Sequence, residues 1–196
     1  MDKSILEKLL LDHRGILKTS DALAAGITKS SFYQFVRENG LEKASHGIYI
    51  VADNLADEMY LLQAQFPKAI YSHEAALYLH GLTECEPVPL TVTVTASYNS
   101  GGLTKKGVKV YYTKNEWYGL GITEMTSFGG NTIKVYDLER TICDIVRRYA
   151  DMDIAVFNYA VKEYVKRKNK DYARLSRYAA ALHLERKIRE KMGVLF

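Results

Sequence analysis

The first hydrophobic run of the chain repeats at helical spacing. Ile5, Leu6, Leu9 and Leu10 fall on one face of a helix that the pattern predicts over residues 3–13, with charged residues on the other face. A helix with one apolar stripe must bury that stripe against other elements, so we expect it to pack within a small domain.

A second short helix is predicted from its boundary residues. Thr19 or Ser20 is a candidate N-cap for a helix over residues 21–25. Gly26 follows directly and is a natural C-terminal stop, because glycine adopts the left-handed conformation at little cost.

A third helix begins after Thr28, a candidate N-cap, and runs to about Asn39, with Gly40 ending it. Three apolar side chains recur at i, i+3 and i+4, and we expect them to face inward: Phe32, Phe35 and Val36. The remaining side chains form a polar outer face: Lys29, Ser30, Tyr33, Gln34 and Arg37, with Ser31 at its edge.

The segment over residues 41–51 alternates between polar and apolar positions around a Ser45-His46-Gly47 tip, which predicts a tight β-hairpin. Two short helices joined by a glycine-containing turn and followed by a hairpin are typical of a winged helix-turn-helix. That module lays its second helix in the major groove of DNA.

The rest of the chain predicts a mixed α/β domain. A polar break at Asp53 and Asn54 indicates a boundary between a domain over residues 1–52 and another over 55–196. The predicted elements are helices over 55–65, 72–80 and 138–149, strands over 90–95, 108–112 and 132–136, and two or three basic helices within 151–192. The strict alternation over 90–95 predicts one wet face. Glycine pairs at 101–102 and 129–130 predict turns. The predicted fold class is therefore α+β, with a small sheet and basic C-terminal helices.

The distribution of charge along the chain supports DNA binding only in part. The net charge of +4 divides into +1 over residues 1–52, −3 over 53–140 and +6 over 141–196. The helix-turn-helix is therefore not strongly basic, and its assignment to DNA rests on the motif first.

The composition argues against a disulfide-rich, a secreted and a membrane protein. Cys85 and Cys143 are far apart and form no CxxC pair, so we expect neither a metal site nor a disulfide framework. The N-terminus has no secretory signal pattern, and no apolar run is long enough for a membrane span. These observations predict a cytoplasmic protein that does not act at a membrane.

Two later blocks carry a family resemblance when they are read together with the winged helix. They are Tyr71-Ser-His-Glu-Ala-Ala-Leu-Tyr-Leu-His-Gly-Leu82 and Ile133-Lys-Val-Tyr-Asp-Leu-Glu-Arg-Thr-Ile-Cys-Asp144. The three blocks in this order resemble the AbiEi-type antitoxins of bacterial abortive-infection toxin–antitoxin systems. The resemblance covers nearly the whole chain.

The resemblance implies a function for each part. In that family an N-terminal winged helix-turn-helix represses the antitoxin's own operon, and the C-terminal domain counteracts a nucleotidyltransferase toxin. Most members are type IV antitoxins in phage defence, which oppose the toxin without a stable complex. The matching DNA-reading positions are the outer face of 28–37 and the wing at 43–46. His46 stands where the family often has arginine, so the wing lacks that permanent cation, because histidine is largely neutral near pH 7.

The candidate DNA-binding residues follow from the chemistry of base edges. Lysine or arginine donates to guanine, glutamine pairs with adenine, and serine serves either base. We expect contacts from Thr28, Lys29, Ser30, Ser31, Tyr33, Gln34 and Arg37 of the third helix and from Lys43, Ser45 and His46 of the wing. Thr19 and Ser20 at a helix N-terminus could hold a phosphate through backbone amides, or could serve only as caps.

Catalytic interpretations have weaker support. His73 and His80 lie seven residues apart on one helix, but no cysteine nucleophile or third metal ligand has a recognisable spacing. Asp137 is better explained as an N-cap, with Arg140 paired to Glu139 or Asp144. We therefore expect no catalytic residues, no metal and no cofactor.

The basic C-terminal helices carry cations interleaved with tyrosines, which suits a nucleic-acid or antitoxin surface. Its candidate residues are Lys162, Lys166, Arg167, Lys168, Lys170, Arg174 and Arg177. A helical surface whose tyrosines belong to the core explains the same pattern equally well.

The sequence thus predicts an antitoxin that represses its own operon by binding inverted repeats in promoter DNA. One winged helix reads only a short half-site, so two copies are expected on the DNA. Two alternatives stay open: a winged-helix regulator whose second domain senses a ligand in an apolar pocket, and an enzyme with convergent carboxylates or a metal.

Overall fold

The computed structural model describes residues 2–52 and 57–193. Contacts within the chain divide it into two compact units. The N-terminal unit comprises Met1–Pro67 and Met125–Ile133, and the C-terminal unit comprises Lys68–Glu124 and Lys134–Phe196.

The boundary predicted at Asp53 and Asn54 lies outside the described residues. The predicted domains 1–52 and 55–196 therefore stay a prediction. By contacts, the helix predicted over 55–65 groups with the N-terminal unit.

The N-terminal unit has the elements of a winged helix-turn-helix. They are α1 (Asp2–Asp12), β1 (Ile16–Lys18), α2 (Thr19–Ala24), α3 (Lys29–Glu38), β2 (Glu42–Ser45), β3 (Ile48–Ile50) and α4 (Glu58–Gln65). β1 has no counterpart among the predicted elements; it pairs antiparallel with β3 and completes a three-stranded sheet in the order β1-β3-β2. A three-residue strand is too short to show an alternating pattern.

The core of this unit is built from the predicted stripes. Leu6 of α1 is buried, and Leu9 and Leu10 pack against the same cluster. The other members come from every element of the helix-turn-helix: Leu17, Ala22, Ile27, Phe32, Phe35, Val36 and Leu41. Gly26 and Gly40 have positive φ angles at the ends of α2 and α3, as the stop signals predicted.

The N-cap predicted at Thr19 or Ser20 is wrong by one or two residues. Lys18 occupies the N-cap position of α2 in extended conformation, and Thr19 is already helical. The cause is the pairing of β1 with β3, which keeps the backbone extended as far as Lys18. Lys18 Nζ instead reaches Asp21 Oδ2 at 3.0 Å, one turn along the helix.

The C-terminal unit holds most of the α/β part. Its elements include β4 (Ile70–Tyr71), α5 (His73–Leu79), β5 (Thr91–Thr95), α6 (Gly101–Lys105), β6 (Lys109–Thr113), α7 (Asn115–Tyr118), β7 (Ile122–Thr126), β8 (Thr132–Tyr136), α8 (Leu138–Arg147), α9 (Ile154–Lys166), α10 (Tyr172–Ala181) and α11 (Glu185–Met192). The tip of the β7–β8 segment groups with the N-terminal unit. The α+β fold class is confirmed.

These strands form one five-stranded sheet in the order β6-β5-β4-β8-β7. β5 runs parallel to β6 and antiparallel to β4, and β4 pairs parallel with β8. α8 and the three C-terminal helices bury an apolar cluster that includes Ile142, Phe157, Val161 and Leu175. The prediction of two or three helices in the C-terminal part is confirmed.

The wet face predicted for the strand over 90–95 is wrong. Thr91 and Thr93 are 1% and 2% exposed, because β5 lies inside the sheet and its threonine face is covered. Their hydroxyl groups are satisfied locally: Thr91 Oγ1 donates to the Ser72 carbonyl at 2.5 Å, and Thr93 Oγ1 donates to Ser72 Oγ at 2.8 Å. A buried hydroxyl with a partner carries little penalty, so a polar pattern does not require solvent.

The turn predicted at residues 101–102 is also wrong, because Gly101 and Gly102 begin α6. Asn99 Oδ1 accepts a hydrogen bond from the Gly101 amide at 3.1 Å and satisfies one free donor of the first turn. The turn predicted at residues 129–130 is confirmed.

Candidate nucleic-acid interface

Helix α3 is fixed in place by its cap and by its apolar face. Thr28 Oγ1 accepts a hydrogen bond from the Ser31 amide at 3.2 Å, as predicted for an N-cap. Phe32, Phe35 and Val36 are buried, as their spacing predicted. The helix is therefore anchored on one side, and its other side faces solvent.

The polar face of α3 has the predicted exposure. Lys29, Ser30, Tyr33, Gln34 and Arg37 are exposed, and Ser31 is half-buried at the edge. In the described part of the chain, neither Lys29 nor Arg37 has an ion-pair partner, so both side chains are available to a ligand.

Two of the predicted base readers already have partners within the helix. Gln34 Nε2 donates to Glu38 Oε1 at 2.8 Å, and Thr28 Oγ1 donates to Ser31 Oγ at 3.1 Å. Glu38 was missed in the sequence analysis, although its i, i+4 spacing from Gln34 indicates such a pair. Its carboxylate fixes the glutamine amide and adds a negative charge near the C-terminal end of the face.

The wing lies against the helix through aromatic contacts. The ring of Tyr33 meets Tyr49 of β3 edge-on at a centroid distance of 6.2 Å, and Phe32 contacts the same ring at 5.5 Å. Tyr49 pairs in register with Lys43 of β2. The aromatic group thus sets the position of the wing relative to α3.

The predicted wing residues lie on β2 and its turn. A bulge lies between Lys43 and Ser45, and His46 and Gly47 form the turn, where Gly47 has a φ of +70°. Lys43 and His46 are exposed and Ser45 is half-buried. Lys43 is the third exposed cation of this surface.

Thr19 and Ser20 differ from the other candidates. The Thr19 amide donates to the Gly47 carbonyl at 2.8 Å, so it holds the wing turn and is not free for a phosphate. Its Oγ1 is buried without a partner among the described residues. Ser20 Oγ donates to the carboxylate of Asp21 at 3.1 Å, a negative group that disfavours a nearby phosphate.

The second candidate surface separates into structural and free cations. Arg167 donates to the carbonyls of His80 and Gly81, both at 2.7 Å, and Lys170 donates to the Arg167 carbonyl at 2.9 Å. Arg174 lies within 3.5–3.7 Å of three carboxylates, those of Asp137, Glu139 and Asp171.

The remaining cations of that surface are exposed. Lys166 pairs with Glu163 at 2.6 Å. Lys162, Lys168 and Arg177 are exposed and have no ion-pair partner in the described ranges 2–52 and 57–193. Tyr164 is fully buried and belongs to the core. Tyr159 and Tyr172 are exposed, so only part of the pattern of cations and tyrosines is structural, and three separate lysine and arginine side chains are left for a ligand.

His73, the first residue of α5, and His80, its C-cap, are not brought together. His73 Nδ1 contacts Ser72 Oγ at 3.0 Å, and its ring stacks on Tyr111 at 3.5 Å. His80 Nε2 contacts the Tyr136 carbonyl at 2.7 Å. Each ring has its own local partners, as in a structural role. Among the described residues, no three His, Cys, Asp or Glu side chains are grouped as metal ligands.

The buried histidines predict a pH dependence of stability. Burial, followed by the positive charges of Arg148 and Arg140, holds the pKa of His73 well below its usual value. The unfolded chain therefore takes up a proton first as pH falls below about 6.5, and the free energy of unfolding decreases below that pH. One such histidine contributes up to about 1.4 kcal/mol per pH unit.

The measurement is urea unfolding between about pH 7.5 and about pH 5.5, a range in which ordinary carboxylates stay ionised. The matched variant is His73→Asn, which cannot titrate and tolerates the left-handed backbone at φ 51°. We expect a smaller loss of stability on acidification for the variant than for the unchanged chain. Equal losses would show that His73 is not responsible.

The acidic segment after β8 is structural. Asp137 Oδ1 accepts from the Arg140 amide at 2.8 Å and caps α8, as predicted. Arg140 Nε reaches both oxygens of Asp144, at 3.0 and 3.1 Å, which confirms the predicted i, i+4 pair.

In the portions of the chain that the structure describes, no helix is long and apolar enough to cross a bilayer.

Comparison with known families agrees with the geometry of the N-terminal unit. Residues 4–52 match the family described as "Transcriptional regulator, AbiEi antitoxin". No curated protein matches the chain significantly. The matched range begins in α1 and includes both strands of the wing. It supports a role as antitoxin or transcriptional regulator, and over residues 4–52 the resemblance to AbiEi-type antitoxins is confirmed: this part of the chain is similar to the AbiEi antitoxin family of transcriptional regulators.

Proposed function

We propose that the N-terminal unit binds promoter DNA and represses the chain's own operon. The main support for this proposal is the exposed surface formed by α3 and the wing. On it, Lys29, Arg37 and Lys43 lack carboxylate partners among the described residues. α3 enters the major groove with its polar face, and Lys43 reaches the phosphate backbone. The family match to transcriptional regulators over residues 4–52 supports this assignment.

Two copies of the chain bind an inverted repeat. One α3 presents few side chains to base edges, because Gln34 is held by Glu38 and Ser31 by Thr28. A single module of this size has limited sequence specificity. Two modules that bind two half-sites on one face of the duplex have a higher combined specificity.

We further propose that the chain is a type IV antitoxin in phage defence that counteracts a nucleotidyltransferase toxin without a stable complex. This rests on the family match and on the resemblance of the blocks at 71–82 and 133–144. We place this activity in the C-terminal part, in a cytoplasmic protein without catalytic activity of its own.

The test is co-expression of the full chain with the adjacent gene, scored by growth and by a promoter reporter. Growth arrest by the adjacent gene and rescue by the full chain support the antitoxin. The matched variant Lys29→Ala/Arg37→Ala should still rescue growth but should release the reporter. Arrest without rescue, or no arrest, supports a regulator without antitoxin activity.

One observation favours the alternative of a ligand-sensing regulator. The C-terminal unit contains a pocket beside β6 and α8. It is lined largely by charged and aromatic side chains, so it is not the apolar pocket that this alternative predicted. An anionic ligand suits it.

A further inference from the structure

The pocket in the C-terminal unit has a volume of about 220 Å³. It is formed by the ends of β5 and β6, by α7 and by one face of α8. Its charged lining residues are Lys114, Arg140, Asp144, Arg147 and Arg148, and its aromatic lining includes His73, Tyr111 and Trp117. Four cations therefore face one carboxylate.

That carboxylate is already engaged. Asp144 binds Arg140 with both oxygens, so it does not neutralise the other three cations. Among the described residues, the carboxylate partners of Lys114 and Arg148 are exposed, at 3.6 and 3.3 Å, and such pairs are weak. Arg147 has no carboxylate partner in the described parts of the chain, and burial lowers its pKa despite the attraction of Asp144.

Aromatic rings hold these cations in place. Lys114 Nζ lies 4.6 Å and Arg147 Cζ 4.8 Å from the centroid of the same ring, that of Trp117. Arg148 Cζ lies 5.6 Å from the centroid of Tyr111. Arg147 also donates to the Leu182 carbonyl at 2.9 Å. The cluster of like charges is therefore fixed without an anion, and an anion that enters needs little rearrangement.

His73 adds a neutral hydrogen-bond donor. Thr93 Oγ1 donates to Ser72 Oγ, and the Ser72 hydroxyl can in turn donate to Nδ1 of the histidine. In that tautomer the proton of the neutral ring is on Nε2, for which the described residues offer no partner. The residue lies at φ 51°, a conformation that side chains larger than glycine rarely adopt.

We infer that this pocket binds the phosphate group of a small phosphorylated molecule. Guanidinium groups match phosphate oxygens bidentately, and the Lys114 ammonium adds a point charge. The volume lies below the roughly 300–1,000 Å³ of sites for drug-sized ligands, so the pocket encloses only the phosphate group, either of free phosphate or of a phosphomonoester such as a nucleoside monophosphate whose remainder lies outside it. The inference does not depend on DNA binding or on antitoxin activity.

The test uses the full chain and Trp117, the only tryptophan, whose ring lines the pocket. Inorganic phosphate and adenosine monophosphate are titrated at constant ionic strength, with chloride as the reference anion. Saturable change of tryptophan fluorescence at up to millimolar concentration supports the site. Equal affinity for both probes identifies free phosphate as the ligand, and tighter binding of the nucleotide identifies a phosphomonoester.

The decisive variant is Arg148→Gln, which removes an exposed cation of the pocket and spares the core. Each lost charge-assisted contact should weaken binding roughly 10- to 100-fold. The matched control is Arg186→Gln, because Arg186 also pairs with a carboxylate on the surface but lies outside the pocket. Lys114→Gln should act like Arg148→Gln. Absence of saturable binding, or equal effects of Arg148→Gln and Arg186→Gln, would overturn the inference.

Discussion

Alanine at both Lys29 and Arg37 should abolish specific operator binding. Each side chain is exposed on α3 and lacks a carboxylate partner among the described residues, so each can contact DNA without first breaking an ion pair. A good contact to a base edge contributes about 1–3 kcal/mol of discrimination, so two lost contacts reduce affinity by a factor on the order of 30 to 10,000. The measurement is an equilibrium titration of promoter DNA with the unchanged chain and the double variant.

The same titration at several salt concentrations separates base contacts from phosphate contacts. Because Lys43 is the one cation assigned to the phosphate backbone, the dependence should be shallow, with a slope of log K against log salt of about −1 per copy. Loss of a phosphate contact lowers that slope by about one and weakens all sequences equally, whereas loss of a base contact weakens only the operator.

The control for this prediction is Lys3→Ala/Lys8→Ala, which removes two exposed lysines from α1 and changes the net charge equally. It should leave operator affinity within a few-fold of the unchanged chain. An equal loss in both double variants would indicate a general charge effect, and full affinity of Lys29→Ala/Arg37→Ala would show that α3 is not the reading helix.

The parts of the molecule that sequence predicts well are those fixed by local chemistry. Thr28 caps α3 through its own hydroxyl group, and the spacing of Phe32, Phe35 and Val36 alone determines the buried face. The turn at Gly47 follows from a residue type that suits positive φ. For these features the signal lies within a few residues of the structure that it specifies.

Features that depend on distant partners were missed or misread. The threonine face of β5 can be buried at little cost because Ser72, some twenty residues earlier, accepts from Thr91 and Thr93. The cation pocket joins Lys114 to Arg147 through the ring of Trp117. The separation between Ser72 and the two threonines, and that between Lys114 and Arg147, do not match the period of a helix or a strand. No local sequence pattern therefore indicates either contact.

Asparagine at Asp144 should destabilise the C-terminal unit strongly. Arg140 is 2% exposed, and Asp144 is the only carboxylate within ion-pair distance of it in the described residues. The variant keeps the size of the side chain but leaves the buried guanidinium without a counter-charge, which costs about 3–5 kcal/mol. A typical domain has about 5–15 kcal/mol of stability in total, so much of it would be lost.

The other contacts of Arg140 explain why the site cannot relax cheaply. Its NH1 group donates to the carbonyls of Trp117 and Leu120 at 2.6 and 2.8 Å, and its Cζ lies 4.1 Å from the ring centroid of Tyr136. These bonds hold the guanidinium in the interior after the carboxylate is gone. Escape to solvent would break both bonds to the α7 segment and leave two carbonyl groups without their donors.

The measurement is urea unfolding followed by the fluorescence of Trp117, which belongs to the C-terminal unit and reports on it selectively. The control is Glu190→Gln, which removes the partner of Arg186, a side chain that is 86% exposed. We expect that change to cost at most about 1 kcal/mol, because water solvates the freed guanidinium. A loss of similar size in both variants would mean that Arg140 gains water or another partner when Asp144 is neutral, and the buried pair would then not hold this unit together.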